Sequence, residues 1–454
     1  MQSSIPNLRC MVWGLMISYR SRSVKSVVKI SAAFFIGIIC VAAWAQPAAA
    51  PIDRNAPLQV RALLEKGATV KIACFGDSVT GVYYHTGTRR AWCDLLGLAL
   101  EKLYPRAQIE MIHAGMSGND TSDGLRRMDR DVLQHSPQLV VAMFGLNDVR
   151  SQTPAAYRQN LETMVQRARD GGAEIILMTP NAAGPGDSVR PPARVAEYAE
   201  IMRDVARTLA VPVVDAYAKF AAVQSSDSAN WQRLMSDEIH PNMRGHRIFA
   251  EEVARVISGQ LVSIGPLPAL KPGLPFVLAR LQAHQPVRVI AMTPYDTLIG
   301  PALRARFPDA VVEVTPWQPD PNSIIAIEAQ AKELGWQKFR RDDALARPDL
   351  VVIAVPSTAR APTPAQFYHS YYWTMNWSLS SGLKPGAEWD AWVLLPSVLG
   401  GAVGPEDVAI DIVRGQDIPW LARKPGDLRS AQDLLSAELE SLLPDKMEAA
   451  KTNP

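Results

Sequence analysis

Four short runs of residues could together carry out nucleophilic chemistry. Gly76-Asp77-Ser78 ends the apolar run Val70 to Phe75. It is followed in order by Ser117-Gly118-Asn119-Asp120, Gly145-Leu146-Asn147-Asp148 and Asp237-Glu238-Ile239-His240. A serine hydroxyl needs a base to take its proton at neutral pH. Of the seven histidines (His85, His113, His135, His240, His246, His284 and His369), only His240 has an acid three residues upstream in a loop that stops at proline. Asp237 can hydrogen-bond one imidazole nitrogen and leave the other facing Ser78. Acyl transfer also needs donors fixed where an oxyanion develops. The Gly118 backbone N–H, the Asn147 side-chain amide and the Ser78 N–H suit that task, and losing one such donor typically costs about 3–4 kcal/mol of transition-state stabilisation.

Gly-Asp-Ser alone is weak, because it also makes ordinary turns. The chain carries a second copy, Gly186-Asp187-Ser188, but Pro and Gly flank it and no strand leads in, so it reads as loop. The elements around the four runs decide in favour of Ser78. Apolar strands are expected at 70–76, 108–113, 138–144, 174–178 and 211–215, alternating with helices at 91–103, 155–170 and 247–257. That order predicts a parallel, helix-flanked sheet with its ligands at the C-terminal strand ends. The polar runs fall at those ends.

The set Gly-Asp-Ser, Ser-Gly-Asn-Asp, Gly-x-Asn-Asp and Asp-x-x-His resembles the SGNH (GDSL-type) hydrolase family over about residues 70–258. The resemblance implies a flavodoxin-like sheet and serine ester hydrolysis without a metal or other cofactor. It carries over Ser78, Gly118, Asn147 and His240, with Asp237 as partner of the histidine. Ser78 is not in a Gly-x-Ser-x-Gly elbow, which argues against the α/β-hydrolase fold.

Lesser candidates take plainer roles. Asp77 is expected to support its own loop and Asp148 to cap a helix. His85 reads as a surface-loop histidine rather than a pocket residue, Arg89 and Arg90 as solvated charges at a helix start, and His246 as structural.

The chain has 454 residues, with 47 Lys and Arg against 45 Asp and Glu. A net charge of +2 with no basic stripe argues against nucleic acid as a partner. Arg20, Arg22, Lys25 and Lys29 precede the apolar run Ile30 to Trp44 and an Ala43-Trp44-Ala45 site, the pattern of a signal peptide over 1–45 and of export to the periplasm or medium. Membrane contact is expected only if that segment stays uncleaved. Cys74 and Cys93 are the cysteines outside it. They fit either a disulfide or two small buried apolar side chains.

The expected domains are a catalytic one at 58–262, a proline-rich linker at 263–285 and a second α/β unit at 286–445. Val287 to Gly300, Arg306 to Val314, Arg347 to Val355 and Trp389 to Pro396 echo the strand-bearing stretches of the first half, so the second reads as a degenerate, non-catalytic copy. Thr297 falls where the nucleophile would stand and Thr358 roughly where Asn147 would. Phe367 to Trp373 and Trp377 fit either sugar stacking or a packed helix. The expected function is an exported serine esterase acting on short acyl groups, with O-acetylated carbohydrate as a candidate substrate. An O-acyltransferase acting on a polysaccharide, a lipase or thioesterase, and a binding protein are the alternatives.

Overall fold

The computed structural model describes residues 58–341, 347–400 and 406–444. The leader expected at 1–45 lies outside the described residues. Among those, no helix is long and apolar enough to cross a membrane.

Among the described residues, two parallel five-stranded sheets organise the fold. The first holds β1 (Thr69–Gly76), β2 (Gln108–Gly115), β3 (Leu139–Met143), β4 (Glu174–Met178) and β5 (Val213–Val214), in the order β2-β1-β3-β4-β5. Every residue of β3 is buried, as expected for a strand covered by helices on both faces. Those helices include Trp92–Leu103, Pro154–Asp170 and Met243–Ser258. The last begins four residues before the expected start, because Asn242 accepts hydrogen bonds from Arg244 N and Gly245 N and so caps it.

The second sheet holds β6 (Val287–Met292), β7 (Val312–Trp317), β8 (Leu350–Ile353), β9 (Asp390–Leu394) and β10 (Trp420–Leu421), in the order β10-β9-β8-β6-β7. Numbered from its own first strand, this is the order of the first sheet. The likeness extends to single hydrogen bonds. Gln138, just before β3, takes the Lys71 N–H on its side chain at 2.7 Å, and Asp349, just before β8, takes the Arg288 N–H at 2.8 Å. Glu174, which opens β4, caps the helix Gln59–Glu65 through Gln59 N and Val60 N. Asp390, which opens β9, caps the helix Pro275–Gln282 through Val277 N.

Two expectations change here. The segment 263–285 is not all linker, because Pro275–Gln282 is a helix whose Val277, Leu278 and Leu281 join the second core. Thr297 does not stand at the nucleophile position. Ile72 pairs with Leu139 in the first sheet and Val289 with Leu350 in the second. Counting on from that shared register brings Tyr295, not Thr297, opposite Ser78. Thr297 lies inside the helix Tyr295–Arg306, where its hydroxyl donates to Pro294 O. The sequence echo is displaced by two residues because a period-two apolar pattern looks the same after that slip.

Candidate active site

β1 ends at Gly76, and a Cβ there would overlap the Thr80 side chain and the Met143 carbonyl, so the turn needs glycine. Asp77 Oδ1 accepts Val79 N at 2.8 Å and closes the turn, leaving Ser78 half-buried at the strand end. Ser78 Oγ lies 2.9 Å from His240 Nε2. His240 Nδ1 lies 2.7 Å from Asp237 Oδ2. Asp237 Oδ1 also accepts the N–H groups of Ile239 and His240, and Ser236 N donates to His240 O at 2.8 Å. The Asp-x-x-His run is thus a closed turn that presents its own first residue to its last.

Burial alone would lower the His240 pKa, but the charge and hydrogen bond of Asp237 outweigh it, with Asp77 adding, and the imidazole stands above the ordinary histidine value. Burial would raise Asp237, yet the facing His240 and the two backbone N–H donors hold it below the usual carboxylate range. Burial pushes Asp77 up to about 6.

The donor side of the site comes from the ends of β2 and β3, the two strands that flank β1. Gly118 is exposed, with φ +78 and open space where a Cβ would project. Among the described residues, neither Ser78 N nor Gly118 N donates to another protein group. Asn147 Nδ2 gives one hydrogen to Asn119 O at 3.0 Å, which ties the two loops together.

Several supporting residues carry no motif. Arg190 donates to Asn147 Oδ1 at 3.1 Å and to Leu146 O at 2.9 Å, and pairs with Asp187. The second Gly-Asp-Ser therefore supplies, through Asp187, the brace of the residue that aims Asn147. Arg127 is buried and donates to Gly76 O, Ala114 O and Asn119 Oδ1, locking the ends of β1 and β2. Tyr83 Oη accepts Ser117 N at 2.9 Å. Asp148 does not cap the short helix it opens. It accepts Thr121 N and Thr121 Oγ1, holding the start of the helix Thr121–Asp131. Glycines before Asn147 and after Ser78 gave a signal for the turns. The arginines had none.

Three readings are corrected. His85 is fully buried, not on a surface loop, and stacks face-to-face on His240 with ring centroids 4.7 Å apart at 11°. Burial, then the neighbouring His240 and His246, hold it well below the ordinary histidine value. A one-turn helix, Tyr84–Thr86, folds it inward, which composition alone does not reveal. Arg90 is not solvated but pairs with Asp417 and donates to Pro268 O. Arg89 reaches Gly273 O at 3.2 Å. Both therefore bind the second half of the chain. His246 is buried and accepts Trp92 N on Nδ1 at 3.0 Å. Cys74 and Cys93 are two buried free thiols.

A serine, a histidine and an aspartate in this relay, beside unpartnered N–H groups, can deliver an alkoxide to a carbonyl and receive the oxyanion. Residues 74–248 match the GDSL-like Lipase/Acylhydrolase family. The chain belongs to that family. As a member of the GDSL-like family it is a carboxylic ester hydrolase. It is 28% identical over 189 residues to an arylesterase of Vibrio mimicus, covering 41% of this chain and 88% of that one. It is also 28% identical over 218 residues to an acetylxylan esterase of Geobacillus stearothermophilus, covering 43% of this chain and 97% of that one. Among solved structures, a lipase/acylhydrolase from Enterococcus faecalis is 31% identical, with a TM-score of 0.37 and coverage of 42% of this chain and 97% of that one. The GDSL-like match ends before β6 begins.

Proposed function

We propose that Ser78 is the nucleophile, His240 the general base and then acid, and Asp237 the group that orients and stabilises the imidazolium. Ser78 Oγ adds to the ester carbonyl while His240 Nε2 takes its proton. The oxyanion is received by the N–H groups of Ser78 and Gly118 and by the amide of Asn147. Collapse expels the alcohol, which takes the proton from His240. Water, deprotonated by His240, then attacks the acyl-serine and releases the acid. The observation that carries this reading is the pair of short contacts, 2.9 Å from Ser78 to His240 and 2.7 Å from His240 to Asp237.

The acyl group we propose is short and the alcohol part a carbohydrate. An aromatic series supports the second half of this. Tyr84 lies 6.0 Å from the His240 ring, Trp373 5.6 Å from Tyr84, Trp377 4.4 Å from Trp373 and Trp336 5.3 Å from Trp377. Trp336 is 46% exposed, and partly exposed indole faces offer a platform for the C–H face of a pyranose. The acetylxylan esterase among the relatives is consistent with it. Export rests on the basic and apolar runs before Gln46. We further propose that the second domain is a copy of the first that has lost its chemistry, a view supported by the matching strand order and strand-opening carboxylates. The buried Tyr295, whose hydroxyl donates to Leu395 O, fills the place of Ser78.

The test is Ser78→Ala in the full chain, with p-nitrophenyl acetate turnover and covalent labelling by a fluorophosphonate. Loss of both in a folded protein is expected. Unchanged turnover would overturn the assignment.

A further inference from the structure

Resting on the reading of Ser78, His240 and Asp237 above, we propose that the second domain positions the catalytic histidine, through a buried plug of Tyr372, Asn376, Gly415 and Gln416 inserted behind its loop. Two side chains of the His240 loop point away from the site and into that domain. Ser236, next to Asp237 in sequence, accepts Asn376 Nδ2 on its hydroxyl at 3.0 Å. Asn242, two residues after His240, donates to Tyr372 Oη at 2.8 Å. Asn376 is itself fixed, its Oδ1 taking Gln416 Nε2 at 2.6 Å. The backbone joins in: Met243 N donates to Gly415 O at 2.9 Å.

Each of these groups is at most 4% exposed, from Asn242 at 0% to Gln416 at 4%. Buried polar groups of this kind fix geometry more than they add stability, since a lost partner leaves the other unsatisfied. The fit is close. A Cβ on Gly415 would overlap the Tyr372 hydroxyl and come within 2.8 Å of Asn242 Nδ2. Asn242 has no freedom to compensate, because its Oδ1 caps the following helix and its Nδ2 also holds Arg233 O. At the rim, Asp411 accepts Arg244 Nη2 at 2.6 Å and Tyr368 Oη at 2.8 Å. Tyr372 and Asn376 lie one turn apart on the helix Pro364–Trp377, so a single rigid element of the second domain holds both shoulders of the loop. The arylesterase of Vibrio mimicus is matched over 88% of its length by 41% of this chain. The family match, residues 74–248, includes the His240 loop but ends before Tyr372, Asn376, Gly415 and Gln416.

The loop carries both Asp237 and His240, so a shift of its shoulders tilts the imidazole away from Ser78. Misplacement by about 1 Å can cost on the order of a hundredfold. The experiment is steady-state hydrolysis of p-nitrophenyl acetate from pH 5 to 9 by full-length Asn376→Leu, Tyr372→Phe, Ser236→Ala and the Ser236→Ala/Asn376→Leu double variant. Leu435→Ala, in the second core but on the helix Ala431–Leu442 rather than on Pro364–Trp377, serves as control. Asn376→Leu is expected to lower kcat by about ten- to a hundredfold. KM should stay within about twofold, and the acid limb of kcat/KM should move to lower pH as the hold of Asp237 on His240 slackens. The double variant should be no worse than Asn376→Leu alone. Leu435→Ala should keep its kcat below its lowered Tm. Wild-type kcat and pH profile in both Asn376→Leu and Tyr372→Phe would overturn the proposal, as would an equal loss in Leu435→Ala. Should Asn376→Leu fail to fold, Tyr372→Phe, which keeps the ring, decides. Ser78→Ala separates the two levels: if it stays active, the reading of the site itself has failed.

Discussion

Replacing Asp237 by asparagine removes a charge while keeping shape, and the structure sets how much should follow. The carboxylate faces His240 Nδ1 at 2.7 Å, and the imidazole is only 9% exposed. Unit charges about 4 Å apart in surroundings of effective dielectric about 20 attract by roughly 4 kcal/mol. On the proposed mechanism the imidazolium exists in the transition state and not in the resting base, so that attraction acts on the barrier. It corresponds to about three decades in rate. A second loss adds to it. The asparagine amide would donate to Nδ1 and force the Nε2–H tautomer, which cannot accept the Ser78 proton. Asp237→Asn should therefore lose about three to four decades in kcat for p-nitrophenyl acetate. The pH profile supplies an independent check. In the wild type the base must be neutral and its pKa stands above the ordinary 6.5, so kcat/KM should rise with pH and reach half its plateau above that value. In Asp237→Asn the largest opposing influence, burial, is left with less to counter it, and the midpoint should move down. Activity within tenfold of wild type, or an unmoved midpoint, would refute the reasoning. The raised pKa also bears on stability. What the protonated His240 contributes to the fold is present at low pH and is lost as pH rises through its folded value, across the same window in which the base becomes active.

Arg190→Met should lower kcat by about tenfold with little change in KM, because Asn147 loses the partner on its Oδ1 and with it a fixed donor; a change in KM alone would count against this. Asp77→Asn should stabilise the protein at pH 8 but not at pH 4, by up to about 3 kcal/mol in urea unfolding. The sign follows from a folded pKa of about 6 against 3.8: stability is full below the lower value and lost as pH rises through the upper one. Trp373→Ala should raise KM for an acetylated xylo-oligosaccharide about tenfold or less, leaving p-nitrophenyl acetate within twofold; equal effects on both substrates would remove the carbohydrate reading.

The relay was legible in the sequence because each of its members sits where a period changes. Val70 to Phe75 stops at Gly76, and Asp237 to His240 stops at Pro241, so residue type and turn chemistry point the same way. The supporting residues were hidden for the opposite reason. Arg127 and Arg190 look like any helix or loop arginine, and only a three-dimensional path brings Arg190 to Asn147. His85 was misread because a Tyr-Tyr-His-Thr-Gly run has loop composition, while one turn of helix and the neighbouring His240 ring bury it. Arg90 was misread because its partner, Asp417, lies 327 positions away. The second sheet was visible as an echo, but a two-residue slip preserves which side chains face inward, so register needed the hydrogen bonds of β6 to β8.

The bond from Met243 N to Gly415 O gives the polypeptide a timetable. Synthesis delivers Ser78, Asn147 and His240 well before Tyr372, Asn376 and Gly415. At about 5–20 residues per second, the interval from His240 to Gly415 lasts on the order of ten to thirty seconds. During that interval the proposed nucleophile has been made but its proposed base is unbraced. On that proposal the nascent chain would hydrolyse about ten- to a hundredfold more slowly until its far end has folded back against the near one.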